Sequence, residues 1–228
     1  MLIAHRGVHN NKDIPENSIK SFKRAILKDY AIEFDIQITK DNKLVIFHDD
    51  NVKRMTGVDK NIQDMTYQEV KKLYLLDTKE VIPTFKHVLD LVDGKVLLDI
   101  EIKSTDKVDL ITTLVLKELE DYNGQLLLKS FNPMIVRSLK KKTDKYSVGL
   151  LIMKKSPNSL LNFLVNTHMI YLFNPDFIAV SKKMLNKKFY SKHIKKYPIY
   201  VWTFKSMAEV DKYLSEYPKI ICICNNLD

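Results

Sequence analysis

Eight short apolar runs rich in β-branched residues recur along the chain, and segments with helical spacing separate most of them. The runs are LIAH (2–5), AIEFDI (31–36), KVLLDIEI (95–102), QLLLKS (125–130), YSVGLL (146–151), FIAVS (177–181), PIYVWT (198–203) and KIICIC (219–224). Between them lie amphipathic stretches such as ENSIKSFKRAILKD, TDKVDLITTLVLKELED and SMAEVDKYLSEY, each long enough for a crossover helix. Strand and helix in alternation imply parallel pairing, because antiparallel neighbours need only a tight turn. Eight such units predict an α/β fold of the (β/α)8 TIM-barrel type. An open doubly wound sheet is the rival arrangement, but no glycine-rich loop follows the first run in the dinucleotide pattern. The alternation breaks once, at QITKDNKLVIFHDD. There a strand, a polar turn and a second strand predict a β-hairpin appended to the second unit, followed by a short insertion over about residues 49–82.

No repeat, low-complexity tract or Pro/Gly/Ser linker divides residues 1–228, so one barrel domain is expected. No run approaches the roughly 18 apolar residues of a membrane span, and no cleavable leader opens the chain, so a cytoplasmic protein without stable membrane insertion is expected. Cys222 and Cys224, two apart in an apolar strand, share a face and are poorly placed to bridge each other; reduced, buried thiols are expected. A formal charge of +9 suits an anionic partner. The lysines are scattered, without a basic block or interleaved aromatics, which argues against nucleic acid and leaves a phosphorylated small molecule, with peripheral contact to an anionic membrane still open.

In such a barrel the reactive groups gather at the C-terminal ends of the strands. His5 and Arg6 end the first run, Glu33 and Asp35 lie late in the second, Glu101 and Lys103 end the third, Ser130 ends the fourth and Trp202 the seventh. Glu33 and Asp35 flank Phe34, so the period of two places both carboxylates on one face and the phenyl ring on the other. Side-by-side acids repel unless a cation joins them. With Glu101 they make a hard-oxygen site suited to a divalent metal cation, Mg2+ or Ca2+; an ion-pair network with Lys103 and Arg6 is the alternative. A turn centred on Asp41 and Asn42 makes paired residue numbers sum to 83, which sets His48 opposite Asp35. Two histidines, His5 and His48, then converge on the acids and can serve as base and acid, with His48 the expected acid. Arg6 and Lys103 can bind phosphate oxygens, so a phosphodiester substrate is expected.

The segments AHRG, PENSIKSFKRA, IEFDIQITKDNKLVIFHDDNVKRMTG, IPTFKHVLDLV, LLDIEIKS, KSFNP and YVWTF, in this order, together resemble the glycerophosphodiester phosphodiesterase family. The resemblance covers the whole chain, is strongest over residues 1–104, and implies a (β/α)8 barrel. It also implies hydrolysis of glycerophosphodiesters to an alcohol and sn-glycerol 3-phosphate with a divalent cation. On this match His5 and His48 are the acid/base pair, Glu33, Asp35 and Glu101 the metal ligands, and Arg6 and Lys103 the phosphate holders. Glu16 and Asn17 match a motif at the mouth of the site, with capping of the first helix as their alternative role. Trp202 matches an aromatic lining the glycerol or alcohol side, with core packing as its alternative. Two departures stand out: Lys205 replaces a usual asparagine, and IICICNN replaces a glycine-rich, aspartate-containing final strand. An apolar stretch, LLNFLVNTHMIYLF, keeps a lysophospholipase D activity in view, and a catalytically inactive binding module is the remaining reading.

Overall fold

The computed structural model describes residues 2–153, 170–225 and 227. Strands β1 (Leu2–His5), β2 (Ala31–Ile38), β4 (Leu98–Ile102), β5 (Leu126–Ser130), β6 (Ser147–Ile152), β7 (Phe177–Ser181), β8 (Ile199–Phe204) and β9 (Ile220–Cys224) pair in parallel in the order β1-β9-β8-β7-β6-β5-β4-β2. Pairing of β1 with β2 closes the ring, so the eight predicted runs are the eight staves of a barrel. Helices α1 (Ile19–Leu27), α4 (Phe85–Val92), α5 (Val108–Glu118), α6 (Pro133–Lys142), α7 (Lys187–His193) and α8 (Met207–Glu216) lie between strands. Of the stretch LLNFLVNTHMIYLF, only Ile170–Phe173 falls within the described residues.

The period of two divides the molecule into two apolar layers. Ile3, Ala31, Leu151, Phe177, Ala179, Tyr200 and Ile223 cluster in the barrel interior, whereas Ile32, Phe34, Ile36, Ile100, Leu128 and Val148 belong to the larger layer under the helices. Phe34 shows the coupling of core to chemistry: its ring packs 5.7 Å from Phe22 of α1 and 6.1 Å from Phe85 of α4, which leaves Glu33 and Asp35 to the barrel interior. The start of α1 is fixed locally by a reciprocal cap between Ser18 and Ser21, so neither Glu16 nor Asn17 is the capping residue. Cys222 and Cys224 are buried and free on the outer layer, and burial pushes their thiols up to about 11 and about 12.

The hairpin is present with a corrected register. Strand β3 (Leu44–Ile46) is antiparallel to β2, pairing Ile36 with Ile46, Gln37 with Val45 and Ile38 with Leu44, so the paired numbers sum to 82 rather than 83. The cause is the turn. Lys40, Asp41 and Asn42 form a three-residue loop with Asn42 at φ 64°, and Thr39 N–H donates to Lys43 C=O. Asp35 therefore faces Phe47, whose N–H donates to its carbonyl, and His48 lies one residue further on, beyond the strand. Helices α2 (Lys53–Thr56) and α3 (Tyr67–Val70) follow in the insertion, over a small core of Phe47, Val52, Met55, Ile62, Val70 and Ile82.

Gly149 of β6 sits beside Phe177 in the barrel, where a Cβ would lie 2.2–2.6 Å from the Phe177 ring. Both face a filled interior, so the ring has nowhere to retreat. Gly149→Ala is expected to destabilise the protein by about 1–3 kcal/mol, the usual cost of overfilling a packed interior, read from urea unfolding midpoints.

Candidate active site

Parallel register aligns the functional residues in tiers. Glu33 pairs with His5 on one side and Asp99 on the other, and Asp35 is level with Glu101, which is level with Lys129. Glu33, Asp35 and Glu101 are all buried, and each offers a carboxylate oxygen within 4.8 Å of the others. Glu33 and Glu101 line a cavity of about 420 Å3 at the C-terminal ends of the strands, together with His5, Arg6, His48, Lys103 and Trp202, and Asp35 adjoins it through its contacts with Lys103 and Arg6. A larger hollow of about 580 Å3, between α4 and α5, is lined by none of the predicted site residues.

Cations meet this negative charge from two sides. Lys103 Nζ lies 2.9 Å from Glu101 and 3.5 Å from Asp35. Lys129, fully buried, lies 2.6 Å from Asp99 and 3.3 Å from Glu33. Asp35 is further contacted by Arg6 Nε at 3.6 Å and by the Asn17 amide, which donates to it at 3.0 Å. Burial disfavours its charge, but Lys103, His48, Arg6 and Asn17 together hold Asp35 below the usual carboxylate range. Glu101 goes the other way: burial and the neighbouring Asp35 charge push it up to about 7. Burial likewise pushes Asp99 up to about 6 despite Lys129. Four buried carboxyl groups facing two ammonium groups leave negative charge over, and three of them converge; this donor set fits a hard divalent cation. The ion-pair network with Lys103 and Arg6 is real as well, and the two arrangements are compatible.

Each histidine is held through Nδ1. His5 Nδ1 lies 2.7 Å from the amide oxygen of Asn225, and His48 Nδ1 lies 2.7 Å from a carboxylate oxygen of Asp49. Both partners accept, so both rings donate from Nδ1 and keep Nε2 for the site. His5 Nε2 is 3.9 Å from Glu33, and burial lowers the His5 pKa. Arg6 has a left-handed backbone, φ 58°, and its side chain donates to Glu16 at 2.7 Å. Glu16 and Asn17 are thus buried beneath the site, binding Arg6 and Asp35. Trp202 packs edge-on to Phe131 at 5.8 Å, and both line the cavity. Ser130 instead ties β5 to β4 by donating to the Ile102 carbonyl, and Lys205 is exposed.

Sequence reasoning passed over Asp49, Arg54, Asp99, Lys129 and Asn225. Asp99 stands two residues before Glu101 and so shares its face, and Lys129 interrupts an otherwise apolar run; both were visible signals.

Comparison with known proteins agrees with this architecture. Residues 5–227 match the Glycerophosphoryl diester phosphodiesterase family, and the chain belongs to that family. A glycerophosphodiester phosphodiesterase of Caldanaerobacter subterraneus subsp. tengcongensis is 38% identical over 162 residues, 66% of this chain and 66% of the relative. One from Bacillus altitudinis is 33% identical over 113 residues, 46% of this chain and 45% of the relative. The match thus spans about two thirds of the first relative's length and under half of the second's. Among solved structures, an Oleispira antarctica phosphodiesterase in complex with the product sn-glycerol-3-phosphate superposes with a TM-score of 0.85 at 19% identity, covering 99% of this chain and 92% of that one. The glycerophosphodiester phosphodiesterase of Thermotoga maritima gives a TM-score of 0.76 at 25% identity, covering 99% and 94%.

Lys129→Met removes the buried ammonium from between Asp99 and Glu33 and leaves Asp99 without its partner. The expected loss is about 3–5 kcal/mol in unfolding free energy, with part of it recovered in the double variant Lys129→Met/Asp99→Leu, which removes one of the two carboxylates left without the ammonium.

Proposed function

We propose that this chain hydrolyses glycerophosphodiesters to an alcohol and sn-glycerol 3-phosphate, with a divalent cation, Mg2+ or Ca2+, held by Glu33, Asp35 and Glu101. The observation that carries this reading is the convergence of two oriented histidines with Glu33 and Glu101 on one cavity, and of Asp35 with those two carboxylates in one cluster. Membership of the family and the product held by the Oleispira neighbour support it. When bound, the cation would supply Lewis-acid polarisation of a phosphoryl oxygen. Arg6 and Lys103 hold the other phosphate oxygens, and Trp202 with Phe131 walls the glycerol or alcohol side. Glu16 and Asn17 keep Arg6 and Asp35 in place.

The partners of the two imidazoles divide their roles. The carboxylate partner, Asp49, marks His48 as the proton donor, whereas the Asn225 amide fixes the tautomer of His5. His5, neutral, takes a proton at Nε2 from the attacking water as its oxygen bonds to phosphorus, either on the diester itself or on the cyclic phosphate that an internal hydroxyl would first form. His48, protonated, gives its Nε2 proton to the alkoxide as the bond from phosphorus to the leaving oxygen breaks. The buried free thiols suit a reducing, cytoplasmic setting. No helix among the described residues is long and apolar enough to cross a membrane.

Lysophospholipid hydrolysis is the second reading. Phe131, Leu151, Met153, Trp202 and Ile223 give the cavity an apolar wall, and a human lysophospholipase D is 41% identical over 69 residues, 30% of this chain. Glycerophosphocholine assayed beside lysophosphatidylcholine, each with Mg2+, Ca2+ and Mn2+, separates the two by turnover.

Alanine at Glu33, Asp35 or Glu101 is expected to abolish hydrolysis and weaken metal binding, and EDTA to silence the wild type; a rate that survives chelation in metal-free buffer overturns the metal site. Alanine at His5 or His48 is expected to cost about 100-fold or more in kcat. A nitrophenyl phosphodiester, whose leaving group needs little protonation, should rescue the His48 variant and leave the His5 variant impaired. Equal loss on both substrates removes the division of roles.

A further inference from the structure

Arg54 belongs to the insertion, lines no part of the cavity and has a side chain 46% exposed. Its guanidinium nonetheless joins two carboxylates. Nε donates to Asp49 Oδ2 at 2.5 Å, Nη2 to Glu16 Oε1 at 2.7 Å and Nη1 to Glu16 Oε2 at 3.3 Å. Each carboxylate in turn holds a group that does line the cavity: Asp49 Oδ1 accepts from His48 Nδ1, and Glu16 Oε1 accepts from Arg6 Nη1, both at 2.7 Å. The sequence of groups His48, Asp49, Arg54, Glu16, Arg6 therefore alternates in charge across the mouth of the barrel whenever His48 is protonated.

We propose that Arg54 is a positioning residue that fixes the proton-donating His48 and the phosphate-binding Arg6 relative to each other. The need arises from where those two residues sit. His48 follows the last ladder pair of β3, and Arg6 turns out of β1 through a left-handed residue, so hydrogen bonds between strands orient neither side chain. A planar guanidinium with several donors can bridge two carboxylates at set angles, which a lysine ammonium cannot. Glu16 is additionally steadied by Asn11, which donates to Oε2 at 2.8 Å and accepts from its backbone N–H, so the far end of the bridge is anchored. Burial works against the charge of Asp49, but Arg54 and His48 outweigh it and hold its pKa below the usual range, so the bridge keeps its charge at neutral pH.

This inference rests on the phosphodiesterase reading for its kinetic consequence but not for its structural one, and the test uses both. Arg54→Lys, Arg54→Gln, Asp49→Asn and Glu16→Gln are compared with wild type on glycerophosphocholine and on bis(4-nitrophenyl) phosphate, and the His48 ring is followed by 1H–15N NMR. Arg54→Lys is expected to lose about 10- to 100-fold in kcat on glycerophosphocholine, the scale of a misplaced catalytic group, with a smaller loss on the nitrophenyl diester. Asp49→Asn should add little to the Arg54→Lys variant, because both act through His48. Glu16→Gln, acting through Arg6, should lower kcat/KM on both substrates alike. The His48 Nδ1–H signal should change from one held in a fixed hydrogen bond to one exchanging freely with solvent in both Arg54 variants. Activity within about twofold of wild type, or equal losses on both substrates with unchanged His48 signals, overturns the proposal. If the wild type hydrolyses neither diester, the phosphodiesterase reading fails, and the His48 signals still decide the role of Arg54.

Discussion

Glu33 and Asp35 stand two residues apart on one face of β2 inside a closed barrel, and their mutual repulsion governs the choice of side chains around them. In water two such charges would separate or be screened; inside a protein they must be met by cations or lose their charge. The barrel meets them in depth. Lys129 lies below, between Asp99 and Glu33; Lys103 lies above, between Asp35 and Glu101; Arg6 approaches from the rim. What these three leave uncompensated shows in Glu101, pushed up to about 7 by burial and by Asp35. A site poised this way has a physical reason to take up a divalent cation, quite apart from the chemistry it would then perform.

The same constraint explains why the outward side of β2 is so firmly packed. A strand carrying two buried acids is costly to bury, and Phe22, Phe34 and Phe85 offset that with an aromatic contact running from α1 across β2 to α4. Period-two alternation is thus more than a pattern. It lets one eight-residue strand present charge to the interior and a ring to the helices.

That alternation is also why so much was legible. All eight staves, the face of Glu33 and Asp35, and the gathering of His5, Arg6, Lys103 and Trp202 follow from spacing plus the rule that barrel chemistry gathers at the strand ends, whereas His48 was reached through a register one residue off. The hairpin register was not legible, because a polar turn of Lys40, Asp41 and Asn42 supports a two-residue or a three-residue loop equally well, and only the backbone of Asn42 decides. The Lys129 to Asp99 pair escaped because its members are 30 residues apart and meet only through parallel register. Asn225 was read as a departure at the end of the chain, whereas its amide oxygen is the acceptor that orients His5.

The site therefore has two kinds of support. Glu33, Asp35 and Glu101 belong to strands whose backbone ladders hold them on both sides, so their spacing is a property of the barrel. Arg6, His48 and Lys103 all lie just past strand ends, and their side chains are held by ion pairs with Glu16, Asp49, Asp35 and Glu101. Ion pairs near a cavity mouth adjust more readily than a closed barrel does, since each can break without unpairing a sheet. The carboxylate cluster is consequently the rigid half of the site, and Arg6, His48 and Lys103 are the adjustable half. The insertion after β3 supplies Asp49 and Arg54 to that second half, so a segment outside the barrel holds His48 and Glu16 while the barrel sets the spacing of the acids.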